Sequence, residues 1–231
     1  VSDAENQTET ETETGGEDDV LPRVIAIDGP AGSGKSTVAR LLAETLGLDY
    51  LDTGAMYRAV AFAALRRGMD PDDIEPVGRL ARDVELEVGT DEVSVDGVDA
   101  TIEIRGPEVT RAVSAVAANP EVRAELRTRQ RDWARVHGGG VIEGRDIGSV
   151  VFPDAELKLY LTARPEVRAA RRSKEVTDMD YETVAADIAR RDALDQGRED
   201  SPLTESDEAV TVDTSDHSID EVVQLVVEYL S

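Results

Sequence analysis

Val24-Ile25-Ala26-Ile27-Asp28-Gly29-Pro30-Ala31-Gly32-Ser33-Gly34-Lys35-Ser36-Thr37 decides how this chain is read. An apolar run from Val24 to Ile27 ends in a glycine-rich turn. Val38-Ala39-Arg40-Leu41-Leu42-Ala43 then repeats apolar residues at helical spacing, so the order is strand, loop, helix. Gly29 to Ser36 fits G-x-x-x-x-G-K-[ST], the P-loop pattern, in which backbone N–H groups and a helix N-terminus converge on phosphate oxygens. Gly29, Gly32 and Gly34 let phosphate approach the backbone closely, Lys35 brings a mobile charge to the β and γ oxygens, and Ser36 offers a hydroxyl to Mg²⁺. Pro30, Ala31, Ser33 and Thr37 complete the segment expected to surround the phosphates of ATP. A bare strand-to-helix turn rich in glycine is the alternative, and the strand before and helix after weigh against it.

The composition narrows the partners. With 231 residues the chain can bury one substantial core, so one α/β domain with insertions is expected. There is no cysteine, which excludes disulfides, thiolate metal sites and a thiol nucleophile, and a cytoplasmic location follows as the default. No apolar run approaches the roughly 20 residues of a spanning helix, and no signal-peptide pattern opens the sequence. His137 and His217 sit in loop-like surroundings, which argues against a histidine base or ligand cluster. The net charge of −25 argues against nucleic-acid polymers and anionic membranes, which require a basic face. Phosphate binding is compatible with that charge only if positive side chains gather in one cleft, so clustered arginines are informative here. Only Lys35, Lys158 and Lys174 of the 25 basic residues are lysines, a pattern that salt adaptation or codon usage would each produce.

Residues 1–19 hold eight acids, no bases and a Glu-Thr alternation, so residues 1–22 are expected to be a disordered acidic tail. Gly47 closes the first helix, a short strand follows, and Asp52 or Thr53 can cap the next helix. Thr53, Tyr57 and Arg58 share adjacent parts of its first turns and suit a phosphorylated small molecule; a cap, a core tyrosine and a surface arginine is the plainer alternative. Period-two alternation at Val84, Leu86, Val88, Val93, Val95 and Ala100 to Ile104, around Asp96-Gly97, predicts antiparallel hairpins in a small insert over about 74–118.

A helix over Pro120–Val136 carries Arg123, Arg127, Arg131 and Arg135 at successive i+4 positions, either as solvated surface or with one end on an anion. Val141-Ile142-Glu143-Gly144-Arg145-Asp146-Ile147-Gly148 is a buried strand delivering an Arg-Asp pair at its carboxyl end, where open α/β sheets build their sites. The helix opening at Pro165 sets Arg168, Arg171 and Arg172 on one face, where they repel one another unless an anion sits among them. A helix from about Tyr181 bears Arg190, Arg191 and Asp195, with Arg198 just beyond. Ala209–Asp213 is the last strand, and Ser218-Ile219-Asp220-Glu221 is a capping box opening a last helix that turns Ile219, Val222, Val223, Val226 and Leu230 inward.

Together, Asp28 to Thr37, Leu51-Asp52-Thr53-Gly54-Ala55-Met56-Tyr57-Arg58, Glu143 to Gly148 with Val151-Phe152-Pro153-Asp154-Ala155, and Arg191-Asp192 followed by Asp195 and Arg198 closely resemble bacterial-type cytidylate kinases, from about residue 23 to the C-terminus. The resemblance implies a three-layer P-loop α/β fold over 23–231. It would comprise a five-stranded parallel sheet, a nucleoside-monophosphate-binding insert at 74–118 and a helical lid at 165–190. It also implies transfer of the γ-phosphoryl of ATP to CMP or dCMP with Mg²⁺, in pyrimidine nucleotide metabolism, by a monomer without membrane or polymer partners. By matched position, Thr53, Tyr57, Arg58, Ser114, Arg123, Arg145, Asp146, Arg191, Asp195 and Arg198 would surround CMP. Ser114, Arg123 and Asp146 would take the cytosine edge, Arg58 and Arg145 the acceptor phosphate, and Arg191 with Asp195 the sugar. Arg168, Arg171 and Arg172 would belong to the lid and, with Lys35, Arg145 and Asp146, to the catalytic set. Thr53 departs from a family serine by one methyl, and the segment between Arg172 and Tyr181 is short. The rival readings are a P-loop kinase for another small acceptor, such as another nucleotide or shikimate, and a regulatory nucleotide-binding ATPase. A guanine-specific N-K-x-D motif is absent.

Overall fold

The computed structural model describes residues 22–175, 180–198 and 200–230. The expected acidic tail, apart from Pro22, and residues 176–179 of the expected lid lie outside them. Strand β1 (Arg23–Asp28) runs through the centre of a five-stranded sheet. Around it stand β2 (Tyr50–Asp52), β6 (Gly139–Glu143), β7 (Leu157–Thr162) and β8 (Val210–Asp213), in the order β2-β6-β1-β7-β8 and all parallel. A central parallel strand is covered on both faces, which is why Val24 to Ile27 are apolar without a break. Alternate residues of β1 then feed different cores. Val24 and Ala26 pack with Leu51, Ile142 and the helices α2 (Thr53–Arg66), α3 (Ile74–Asp83), α4 (Pro107–Ala118) and α5 (Pro120–His137). Ile25 and Ile27 pack with Leu159, Leu161 and the helices α1 (Lys35–Leu46) and α8 (Ile219–Tyr229) on the other face. The three-layer α/β reading with a five-stranded parallel sheet is therefore borne out.

Between α3 and α4 lies a second, antiparallel sheet of β3 (Leu86–Val88), β4 (Val93–Val95) and β5 (Val98–Asp99). Ala100 to Ile104 is not a strand, contrary to the alternation. Asp99 accepts hydrogen bonds from the Thr101 N–H (3.0 Å) and hydroxyl (2.7 Å), which bends the chain into a short 3₁₀ turn at Glu103–Arg105, and Ile104 is buried from there. Three smaller expectations also change. His137 is the last residue of α5, stacked on Trp133 with ring centroids 4.2 Å apart, rather than part of a loop. Ile219, the first residue of α8, is exposed, although the Ser218–Glu221 capping box forms as expected. Asp52, not Thr53, caps α2 by accepting from the Ala55 N–H at 3.0 Å.

The remaining helices, α6 (Pro165–Glu175) and α7 (Tyr181–Gln196), pack on each other through Ala169, Val184 and Ile188, and this small cluster closes over Ala31 of the glycine-rich loop. Both helices thus meet the carboxyl ends of the central strands, where the sequence places its chemistry.

Candidate active site

The loop after β1 is shaped by close backbone approach. A Cβ on Gly29 would fall 2.0 Å from the Leu161 carbonyl oxygen, and φ there is +146°, so only glycine fits between β1 and β7. Helix α1 starts behind Gly34 with no side-chain cap and no acid in its first turn. Its first N–H groups are left for an anion rather than for a neighbouring oxygen. The Ser33 hydroxyl is buried beside them with no protein partner. Lys35 is 7% exposed, and its Nζ donates to the Pro30 carbonyl at 2.8 Å. Burial first, and the Arg145 cation second, hold this ammonium well below the ordinary lysine range, down to about 7. The loop residues thus form a cradle that fits a polyphosphate.

Next to the cradle, the last residue of β6 is a buried carboxylate. Glu143 accepts a short hydrogen bond from the Tyr50 hydroxyl and interacts with the Ser36 hydroxyl, and burial, then Asp52, push its carboxyl above the usual range. Among the described residues no group of three or more histidines, aspartates and glutamates could hold a metal on its own. An exposed Ser36 hydroxyl with one neighbouring carboxylate suits an ion that arrives on a phosphate and keeps most of its waters, which is how Mg²⁺ binds.

A pocket opens beside Glu143 and Gly144, and all ten residues expected around the acceptor line it. Thr53 reaches it from the start of α2 and donates to the Glu143 carbonyl at 2.6 Å. Tyr57, one turn on, is buried with the Arg123 guanidinium 5.8 Å from its ring centroid, and burial pushes its phenol up to about 12. Ser114 lines the wall from α4. Arg123 is 1% exposed, donates to the Ala117 carbonyl at 3.2 Å and pairs with Asp146, while its Nε has no hydrogen-bond partner among the described residues. The arginine row of α5 is therefore split by its ends. Arg123 enters the site and Arg127 pairs with Asp200 at 3.0 Å. Arg131 holds the carbonyls of Val150 and Val151, and Arg135 stays on the surface.

Charge in the pocket is unevenly compensated. Asp195 on α7 joins Arg145, at 2.9 Å, and Arg198; burial would raise its carboxyl, but these two cations hold it below the usual range. Among the described residues Arg58 donates hydrogen bonds to neutral oxygens, the Ile104 carbonyl at 3.3 Å and the Thr110 hydroxyl at 3.2 Å. Burial, then Arg191, lower Arg58 to about 9, and burial, then Arg145, lower Arg191. Two half-buried guanidiniums that face one pocket, with Arg191 repelling Arg58, favour an anionic occupant.

Two of the α6 arginines find their partners within the protein, so a bound anion is not required to hold them. Arg168 pairs with Asp192 of α7 and donates to the Ala31 carbonyl at 3.0 Å, while Arg171 donates to Thr214 and lies 3.4 Å from the Ser33 carbonyl. Both lean on the phosphate cradle. Arg172 acts at a distance on Arg58 and Arg191. Sequence reasoning left Asp28, Glu143, Asp192 and Thr214 without roles. The first three stand inside the diagnostic motifs, and a carboxylate there is the signal that could have singled them out; Thr214 carries none.

Against known proteins, the family model described as cytidylate kinase matches residues 25–231. The chain belongs to the cytidylate kinase family. A protein named cytidylate kinase from Mycolicibacterium paratuberculosis is 51% identical over 209 residues, covering 87% of this chain and 91% of that one. A namesake from Pelotomaculum thermopropionicum is 48% identical, covering 90% and 95%, and one from Streptomyces griseus is 47% identical, covering 88% and 90%. A solved structure of an uncharacterized protein from Eubacterium ventriosum superposes with a TM-score of 0.50 at 14% identity, covering 90% of this chain and 97% of that one, which speaks to the fold alone. The cytidylate kinase motifs thus coincide with the cradle, the pocket and the α7 residues between them.

Proposed function

We propose that the chain transfers the γ-phosphoryl group of ATP to CMP or dCMP, giving ADP and CDP or dCDP. The observation that carries this reading is the placement of two guanidiniums, Arg58 and Arg191, neither ion-paired with a carboxylate among the described residues, in a pocket that adjoins a phosphate cradle containing Lys35. Two anionic substrates meet there. Phosphoryl transfer demands little covalent work from protein, chiefly neutralisation, alignment and exclusion of water. The α1 N-terminus and Lys35 hold the β and γ phosphates of ATP. Arg58 and Arg145 hold the acceptor phosphate, and Arg191 with Asp195 and Arg198 its sugar side. Ser114, Arg123 and Asp146 read the base edge. An acceptor phosphate oxygen attacks the γ phosphorus in line, and the bond from that phosphorus to the β,γ-bridging oxygen breaks with its electrons going to ADP. Lys35, Arg168, Arg171 and Arg172 stabilise the equatorial oxygens. The Ser36 hydroxyl would hold Mg²⁺ arriving with the nucleotide, and the ion would supply further charge neutralisation.

ADP formation measured with CMP, dCMP, UMP, AMP, shikimate and no acceptor, each at low and at molar KCl, tests the reading. Fast turnover with CMP and dCMP only is expected, and a requirement for high salt would mark the −25 charge as salt adaptation. Turnover indifferent to acceptor, or none at either salt, would sink the cytidylate assignment.

A further inference from the structure

Asp28 ends β1, is 5% exposed, and takes no part in the chemistry above. Its two carboxylate oxygens accept from two successive backbone N–H groups of another segment, Ile147 at 2.9 Å and Gly148 at 2.8 Å. Those amides open the short π-helical turn Ile147–Val151, in which Val150 and Val151 donate to the Asp146 carbonyl and Phe152 to the Ile147 carbonyl. The first N–H groups of any helical turn lack partners within it, and the residue just before the turn ordinarily supplies the cap. Here that residue is Asp146, a good capping type, yet its side chain makes no capping bond and is given to Arg123 instead. Asp28 caps the turn from a neighbouring strand. The preceding end of the loop is clipped to the same strand, since Gly144 donates to the Ile27 carbonyl at 2.9 Å. Arg145 and Asp146 therefore project from a short span fixed at both ends to β1, the strand that also launches the phosphate cradle.

We infer that Asp28 is the positioning residue of the acceptor site: by capping the 147–151 turn in place of Asp146, it frees the Asp146 carboxylate for Arg123 and fixes both Arg145 and Asp146 relative to the P-loop. The inference rests on the acceptor reading proposed above. Burial, offset in part by those two N–H groups, raises the Asp28 carboxyl to about 6; Asp146 pushes it further up and Lys35 pulls it down. The carboxylate nonetheless remains the form with an acceptor for each of two donors.

Asp28→Asn keeps the shape but presents an NH₂ donor to one of two N–H donors. Asp146 is then expected to turn back onto its own helical turn and release Arg123. With ATP and CMP as substrates, the KM for CMP should rise about tenfold or more, the scale of one hydrogen bond to a charged group, while the KM for ATP stays within about twofold. Asp28→Glu restores the charge near Lys35 but not the geometry, so it should not rescue. An unchanged KM for CMP in Asp28→Asn, or full rescue by Asp28→Glu, would overturn the inference. Amide hydrogen exchange gives a readout independent of activity. In the wild type, the Ile147 and Gly148 amides should exchange as slowly as those of β1, and exchange at the rate of an exposed loop would overturn the inference even if no variant folds. A wild type that exchanges slowly there but does not phosphorylate CMP would instead remove the acceptor reading.

Discussion

The Arg123 guanidinium and the Asp146 carboxylate form an ion pair whose side chains are 1% and 7% exposed, and they join the start of α5 to the loop after β6. Arg123 also faces the Tyr57 ring and the Ala117 carbonyl. The pair is thus both a wall of the acceptor pocket and a tie between the insert side and the parallel sheet. Arg123→Met removes the cation and leaves a buried carboxylate, whose desolvation is then uncompensated. A loss of about 3–5 kcal/mol of folding stability is expected. Urea unfolding followed by circular dichroism measures it, and a loss under about 1 kcal/mol would mean that Asp146 finds another partner, with Arg198 the next cation after Arg123 that acts on it.

Lys35 makes the opposite prediction for stability. Its ammonium is buried and shifted from the ordinary 10.5 down to about 7, so between those values the unfolded chain binds a proton that the folded chain does not. This group's contribution therefore penalises the fold fully below about pH 7 and is relieved as pH rises toward 10.5. Lys35→Met places an apolar side chain of similar length there. The variant should lose phosphoryl transfer by more than about a hundredfold, yet unfold at a higher urea concentration than wild type at about pH 7, with the gap narrowing by about pH 10. Equal or lower stability near neutral pH would show that Lys35 is held in its charged form without penalty.

Much of this was legible because the residues concerned obey short-range rules. The unbroken apolar run of β1, the Gly29 to Ser36 spacing and the Ser218–Glu221 box each specify local geometry, and the structure contains all three. The ten acceptor-pocket positions came from the family resemblance, and they meet because α2, α4, α5, α7 and the loop after β6 all line one pocket. What was not legible depends on partners far along the chain. Nothing near Arg168 announces Asp192, 24 residues away, and nothing near Asp28 announces the amides of residues 147 and 148. Ala100 to Ile104 failed for a local reason, since an Asp-Ala-Thr turn competes with strand alternation and wins once Asp99 finds the Thr101 donors.

Arg191 lowers the proton affinity of Arg58, Arg145 lowers that of Arg191, and neither Arg58 nor Arg191 forms an ion pair with a carboxylate among the described residues. Arg191→Ala relieves that repulsion but removes a cation that lines the acceptor pocket. The KM for CMP should rise by about tenfold or more, with kcat and the KM for ATP far less affected, and added salt should weaken CMP binding less in the variant than in wild type. Steady-state kinetics at two ionic strengths decides this. An unchanged KM for CMP would take Arg191 out of the acceptor site.

Asp192 follows Arg191 on α7 but faces the phosphate cradle. One oxygen accepts from the Ala31 N–H at 3.1 Å and the other from Arg168, which itself donates to the Ala31 carbonyl at 3.0 Å. Carboxylate, guanidinium and the Ala31 backbone close a ring that fixes Arg168 against the phosphate cradle. In Asp192→Asn the amide can accept from only one of the two donors, and its NH₂ then faces the other. The Ala31 N–H belongs to a packed backbone whereas Arg168 is on a long side chain, so Arg168 is the group that moves. A misplaced cation at the transferring phosphoryl affects the transition state more than either ground-state complex. The kcat should therefore fall about tenfold to a hundredfold, while the KM for CMP, set by Arg191 on the unaltered helix, stays within about twofold. Arg168→Lys, which cannot bridge Asp192 and Ala31 together, should reproduce the kcat loss, and the double variant should be little worse than either single one. Additive losses would show that Asp192 acts on the reaction by a route that does not pass through Arg168.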